Sequence, residues 1–386
     1  MGRHSRLIVL ACAIAIYFGC ILSPPGLMDD VDAVQAQIAR NMLESGDWVT
    51  ARLDGVAYLE KSPLIYWMMA VSMRIFGPHD WAARIPLALG VVLLVYCTMR
   101  FSAWAFGEPA GSYSGFVMAT CIGLWLFTRI QIPDAILTLT ITIAMWAFLR
   151  ALEEGGAMWP AVMSAAIGVG LLLKGLIAAV FPVAAALLYL TITRQLFRRE
   201  TWSRLRPFTG ALILLAIAAP WHVLATLRNP PYLDFTMKSE PGQYHGFFWF
   251  YFFNEHVFRF LNMRHPRDYN TVPRLAFWLF HLLWLFPWSA YLPAVAKLGF
   301  APVDRAGRTR LLALCWTGFL LVFFTFSTTQ EYYSMPCYPA LALLLGSAMV
   351  SAPHAWILRG NRVIAGVATL AALAVIGILA QVWNLP

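Results

Sequence analysis

Charge is scarce in this chain. Only 12% of its 386 residues are Asp, Glu, Lys or Arg, against about 25% in a soluble domain, so the bulk of the chain is not built to face water. Cysteine is sparse and unpatterned. Cys12, Cys20, Cys97, Cys121, Cys315 and Cys337 form no CxxC pair and most lie in apolar runs, where a thiol serves as a small buried hydrophobe. No basic run interleaved with aromatics sits on a soluble stretch, so the net charge of +9 carries no nucleic-acid signature. No A-x-A site follows the apolar run from Leu7, and residues 1–22 read as a retained first helix rather than a cleaved signal. Tandem repeats and low-complexity tracts are missing too.

What is present is apolar length. The chain is 60% hydrophobic and 15% aromatic, with a mean hydropathy of +0.66, the profile of a polytopic membrane protein. Stretches near the length needed to cross a bilayer fall at roughly 7–22, 84–104, 110–127, 134–150, 158–173, 176–193, 208–227, 273–295, 309–327, 336–352 and 362–382. The expectation is an all-α membrane protein of about eleven spans, one domain over 1–386. With the N-terminus in the cytoplasm, every short inside loop is basic, as the positive-inside rule asks. Fourteen of the nineteen acids then lie outside. Acids carry little topological weight, so that skew points to function on the outer face. The two long polar loops, 23–83 and 228–272, are on that face.

These loops are not disordered by composition. "AVQAQIARNMLES" (33–45) has helical apolar spacing and ends at Gly46; "PLIYWMMAVSMRIF" (63–76) opens on Pro and ends at Gly77. "GFFWFYFFNEHVFRFL" (246–261) is too aromatic for a solvated loop. All three read as amphipathic helices in the interface with their apolar faces toward lipid, and a hairpin-like segment joins the first two.

Five polar features, and a tight turn at Lys174-Gly175, fall on the outer side. "LMDDVDA" sets Asp29, Asp30 and Asp32 close together; they need a cation or hydrogen bonds to stay ionised together, or they form a solvated acidic cap. Glu60-Lys61 precede an apolar stretch; the lysine either snorkels to water or holds a phosphate. Asp134 opens the fourth span after Pro133, as a functional carboxylate at membrane depth or as an ordinary helix start. "NEHVFRF" embeds Glu255, His256 and Arg259 among aromatics; His256 and Arg259, three apart, share a helical face, and Glu60 with His256 form a candidate pair of ligands for a divalent metal. "STTQEYYSMP" offers Gln330, Glu331, Tyr332 and Tyr333, and Lys174-Gly175 makes a tight outer turn; short polar turns often do nothing more.

"AQIARNMLESGDWVTARLDGVAYLEKSPLIYW" and the later "PDAILTL", "LLLKGLIAAVFP", "FFNEHVFRF" and "YYSMPCYPALALLLG" closely resemble, in order, the polytopic glycosyltransferases that include lipid A aminoarabinose transferase and the protein O-mannosyltransferases. The resemblance covers most of 25–350. It implies a GT-C-like fold with amphipathic helices in the first outer loop. It implies a sugar donor linked to a polyprenyl phosphate (undecaprenyl phosphate in a bacterium), a lipid A-like, protein or other envelope acceptor, and multi-pass residence in the inner membrane with the active site on the periplasmic face. By residue, it implies an aspartate of the first loop as base or charge stabiliser (Asp30 preferred, Asp32 the alternative), a second at Asp134, and Lys61 near phosphate. Arg259, Tyr332, Tyr333 and Lys174 join as candidate donor-binding residues. Two departures stand out. The family's D-E pair falls on Val31-Asp32, and Ser62 replaces the first proline after the lysine, which is expected to loosen the turn. Family members often continue into an extracytoplasmic domain, whereas this chain stops at Pro386, which leaves the acceptor open. A transporter or flippase of a lipid-linked or anionic solute is the rival reading, and a non-catalytic relative the third.

Overall fold

The computed structural model describes residues 2–22, 26–27, 30–237, 240, 242–265, 272–327 and 329–383; Asp29 of the acidic cluster lies outside them. The described chain is helical almost throughout. Helices α1 (Gly2–Leu22), α2 (Asp30–Ser45), α3 (Leu64–Phe76), α4 (Asp80–Phe106), α5 (Glu108–Thr120), α6 (Ile122–Phe127), α7 (Asp134–Glu154), α8 (Met158–Lys174), α9 (Ile177–Ile192), α10 (Arg199–Leu205) and α11 (Pro207–Arg228) make up the first part. The second long loop carries α12 (Gly246–Phe248), which runs into a π-helix at Trp249–Phe258. Then come α13 (Arg274–Trp284), a 3-10 turn (Trp288–Tyr291), α14 (Leu292–Val295), α15 (Arg305–Phe326), a 3-10 turn (Glu331–Cys337), α16 (Tyr338–Ser351) and α17 (His354–Trp383).

Each of the eleven expected spans has a helical counterpart. Among the described residues seven helices have the length and apolar content to cross a membrane, and an eighth is formed if α13 and the segment Trp288–Val295, bent by 94°, count as one span. Two expected straight spans are broken. The 110–127 span stops at Cys121 and restarts as α6; the 273–295 span bends between Trp284 and Trp288. The two breaks meet, because the amide of Ile122 donates to the Phe286 carbonyl at 3.1 Å, which satisfies backbone groups that lipid cannot.

The bundle has little hydrophobic drive between helices once in lipid, so close packing and buried polar contacts hold it. Helix α5 lies between α4 and α16, and the Ser114 hydroxyl on it donates to the Ala342 carbonyl on α16 at 2.8 Å while bonding the Ser102 hydroxyl on α4 at 2.7 Å. Helices α7, α8 and α9 pack in sequence, and α15 leans on α9.

The first long loop folds as the sequence indicates, with one correction. Strands β1 (Arg52–Leu53) and β2 (Val56–Ala57) pair antiparallel. Asp54 and Gly55 both take positive φ (51° and 79°) between them, the requirement of a tight hairpin that an Asp-Gly pair meets. The apolar faces of α2 and α3, expected toward lipid, are turned largely toward the protein: Ile38, Ala39 and Met42 on α2 and Ile65, Tyr66, Met69 and Ala70 on α3 are buried, while Val71, Ile75 and Phe76 of α3 stay exposed. The two helices pack on each other and α3 packs on α4, so the loop is a lid fastened to the bundle.

Candidate active site

A cavity of about 360 Å³ opens at one end of the bundle, lined by Glu60, Lys61, Asp134, Lys174, Glu255, His256, Arg259 and Tyr333 among others. Residues from five separate stretches of sequence meet there. Asp134 begins α7 and is 2% exposed; Lys174 ends α8; their side chains pair at 2.5 Å. Only Oδ1 is used in that pair. Oδ2 of Asp134 is buried with no protein partner, so one oxygen is anchored and the other is unpaired and shielded. Lys174 also lies 4.7 Å from the ring of Tyr333 and 5.3 Å from that of Tyr332, a cation held by two aromatic faces. Tyr333 reaches the cavity wall; Tyr332 is not among its lining residues.

The aromatic segment 246–261 supplies the other wall. In the π-helix, neighbours on one face are about four to five residues apart rather than three. His256 and Arg259 therefore do not act as an i, i+3 pair, although both reach the cavity. Glu255 and Arg259 pair instead at 3.0 Å. Glu255 takes a second guanidinium, Arg264, at 2.7 Å, and Arg264 reaches Glu60 at 3.2 Å. Lys61 sits beside Glu60 at 3.9 Å and keeps 22% of its side chain exposed, so it faces the cavity with the loosest partner of the group. Lys61, Lys174, Arg259 and Arg264 against Glu60, Glu255 and Asp134 leave an excess of one positive charge. Burial, reinforced by Arg259, lowers the Lys61 ammonium below its ordinary 10.5, with Glu60 and Glu255 opposing. Burial raises the Glu255 carboxyl, with Lys61 opposing.

His256 has a different role from the one expected. Its Nδ1 faces the Tyr251 carbonyl at 2.6 Å, and its Nε2 accepts the backbone N–H of Leu176 at 3.0 Å. Desolvation takes it down to about 4, so it is a neutral imidazole that caps the start of α9. With both ring nitrogens bonded to backbone and Glu60 bonded to Arg264 and to the Tyr58 hydroxyl (3.2 Å), the Glu60–His256 pair does not fit a metal. Among the described residues no group of three His, Cys, Asp or Glu is arranged to hold one. Gly175 makes the cap feasible: its φ is +69°, and a Cβ there would strike the His256 ring and the Tyr251 hydroxyl.

Asp30 and Asp32 do not line the cavity. Asp30 is exposed at the first turn of α2, and its carboxylate accepts the next backbone N–H, that of Val31, at 2.8 Å. Asp32 is 2% exposed and engaged: it accepts the Gln131 amide at 2.5 Å and faces Arg84 at 3.7 Å. It ties α2 to the segment ahead of Asp134. Ser62, expected to loosen the turn, does the opposite: buried completely, it donates to the Leu171 carbonyl at 2.9 Å and contacts the Tyr251 hydroxyl, fastening the hairpin to α8 and the π-helix. Arg264 was not legible in advance; an arginine three residues past an interfacial helix, in "LNMRHP", gives no signal of its partners.

The remaining cavity wall is apolar. Val180 and Phe181 of α9, Phe260 and Leu261 after the π-helix, and Phe323 and Phe324 of α15 line it. Val180 and Leu261 are 39% and 50% exposed, so this apolar slot reaches the surface of the protein.

The sequence pattern of the dolichyl-phosphate-mannose-protein mannosyltransferases matches residues 60–223. An undecaprenyl phosphate-alpha-4-amino-4-deoxy-L-arabinose arabinosyl transferase of Pseudomonas fluorescens is 28% identical across 97% of this chain and 62% of its own length. The corresponding enzyme of Aeromonas salmonicida is 29% identical across 89% and 60%. The crystal structure of ArnT from Cupriavidus metallidurans bound to undecaprenyl phosphate superposes with a TM-score of 0.82 at 25% identity, over 95% of this chain and 64% of that one. The chain is similar to polytopic glycosyltransferases that use polyprenyl-phosphate sugars. It is a multi-pass membrane protein with their GT-C fold. An oligosaccharyltransferase of Archaeoglobus fulgidus shares that fold more distantly, with a TM-score of 0.57 at 13% identity over 94% of this chain and 53% of that one. The chain spans about three fifths of the length of the curated relatives it matches.

Proposed function

We propose that the chain is a single transmembrane domain that moves a sugar from a polyprenyl phosphate to an acceptor on the outer face of a bacterial inner membrane. One observation carries this reading: a cavity whose cationic end continues into an apolar slot that reaches exposed surface at Val180 and Leu261. A polyprenyl phosphate needs that combination, and a soluble nucleotide sugar has no use for the slot. The sugar donor named for the arabinosyl transferases, undecaprenyl phosphate-linked, has this chemistry.

In the reaction an acceptor oxygen bonds to the anomeric carbon while the bond from that carbon to the phosphate oxygen breaks. The electron pair leaves with the phosphate. Lys61, Arg259 and Lys174 stand where that charge grows, and fixed cations in a low-dielectric pocket stabilise it without reorganising. A hydroxyl acceptor must lose its proton, and Asp134, which lines the cavity, takes it; an acceptor already ionised, such as a phosphate, needs no base, and Asp134 then only holds Lys174 in place. Asp30 and Asp32, one exposed and one engaged with Gln131 and Arg84, leave the base role to Asp134.

The test is transfer from radiolabelled polyprenyl-phosphate sugar by the purified chain in vesicles. Turnover that falls at least about tenfold in Lys61→Ala and in Asp134→Ala, ~1.4 kcal/mol in the barrier each, supports the reading. Uptake without turnover supports a transporter, and wild-type rates in both folded variants reject the assignment.

A further inference from the structure

Two of the stretches that line the cavity come from separate loops, far apart along the chain. Lys61 comes from the hairpin of the first long loop, and Arg259 from the end of the π-helix in the second, almost two hundred residues later. Arg264 touches both. Its Nε donates to Oε1 of Glu255 at 2.7 Å and its Nη2 lies 3.2 Å from Oε2 of Glu60. It is 9% exposed and is not among the residues that line the cavity.

The chain is shaped to bring it there. After Arg259 the backbone turns back on itself: Asn262 takes a positive φ of 58°, and the Met263 amide donates to the Phe258 carbonyl at 2.7 Å. Asn254, fully buried, then clamps the returning strand on both sides. Its Oδ1 accepts the His265 N–H and its Nδ2 donates to the His265 carbonyl, each at 2.9 Å. A side-chain amide paired with both backbone groups of one residue fixes that residue's neighbour, Arg264, in direction as well as position. A planar guanidinium can then serve two carboxylates at once, which a point charge does less well.

We propose that Arg264 is a positioning residue: it clasps Glu60 of the first loop to Glu255 of the second, and so sets Lys61 and Arg259 at the spacing that one phosphate needs. This rests on the phosphate reading above, and goes beyond it by naming a residue that acts without touching the ligand.

The experiment uses the full chain in detergent, with geranylgeranyl phosphate as the probe and amide hydrogen exchange over residues 58–62 as a ligand-free readout. Arg264→Met is expected to weaken binding at least tenfold and to speed exchange at 58–62. Arg264→Lys, which keeps a charge between the two carboxylates, is expected to recover binding to within about threefold. The double variant Glu60→Gln with Arg264→Met should bind within threefold of the weaker single variant, because both remove one contact. Unchanged binding and exchange in Arg264→Met overturn the proposal, as do fully additive losses in the double variant. If Arg264→Met does not fold, Glu60→Gln carries the same two readouts with the same expected directions. A wild-type chain that fails to bind geranylgeranyl phosphate overturns the phosphate reading alone, since exchange at 58–62 still decides whether the clasp exists.

Discussion

Two glutamates in this protein each hold two arginines, and they sit in different surroundings. Glu153, near the end of α7, takes Arg305 at 2.8 Å and Arg308 at 3.1 Å, with those arginine side chains 47% and 36% exposed. Glu255, in the π-helix, takes Arg264 at 2.7 Å and Arg259 at 3.0 Å, with arginines only 10% and 20% exposed and the glutamate at 2%. The inventory is the same, but the dielectric is not. Around Glu153, water and salt screen the pairs, and Arg305 stacks on the Trp104 ring 4.5 Å away; such a cluster marks a basic end of the bundle more than it holds the fold. Around Glu255 the charges are desolvated. Each one left unpaired is expensive, and their directions are fixed at the edge of a cavity. Charge is decoration at one end and geometry at the other.

That comparison can be broken by experiment, beginning where the effect is greatest. Glu255→Ala removes the carboxylate that Arg259 and Arg264 share, leaving Arg264 with Glu60, and is expected to destabilise the chain by about 3 kcal/mol, read as a lowered unfolding temperature in detergent. A loss as small as that from Glu153→Ala would erase the distinction. Gly175→Ala combines a left-handed backbone with a collision against His256 and Tyr251 and should cost about 3 kcal/mol. Gly155 at the other end also has a positive φ, of 68°, but open space around it; Gly155→Ala should cost only about 1 kcal/mol. Thermal scans of the two variants side by side make the contrast.

The pH dependence comes next. His256 titrates at about 4 in the folded protein and near its ordinary 6.5 when unfolded. As pH falls below 6.5 the unfolded chain takes the proton first, so the stability His256 contributes is complete above 6.5 and is lost as pH drops toward 4, on the order of 2 kcal/mol by pH 5. His256→Gln should flatten that part of the stability profile; an unchanged slope would show that the cap at Leu176 is not formed. Smallest of all, Arg305→Ala should move stability by no more than about 0.5 kcal/mol, and a larger loss would put the Glu153 cluster in the same class as the buried one.

Much of the fold was legible because the signals are local. Apolar runs placed the helices, the segment between the two loop helices read as hairpin-like, and Gly46 and Gly77 placed the ends of those helices. The breaks at Cys121 and between Trp284 and Trp288 were not, since nothing in either apolar run announces that the other break will satisfy its backbone. The side-chain types of the cavity were legible too, in Lys61, Asp134, Lys174, Arg259 and Tyr333. Their pairings were not. Asp32 and His256 have the composition of working residues and spend it on backbone amides, while Arg264, which has no motif, joins the two loops.

Sequence alone determined that this chain lives in a membrane and roughly where its apolar helices fall, because hydropathy and short motifs act over a turn or a loop. Only the tertiary structure decided which charges meet. An ion pair depends on distance and desolvation, and both are set by how hairpin, π-helix and bundle ends dock across nearly two hundred residues of chain.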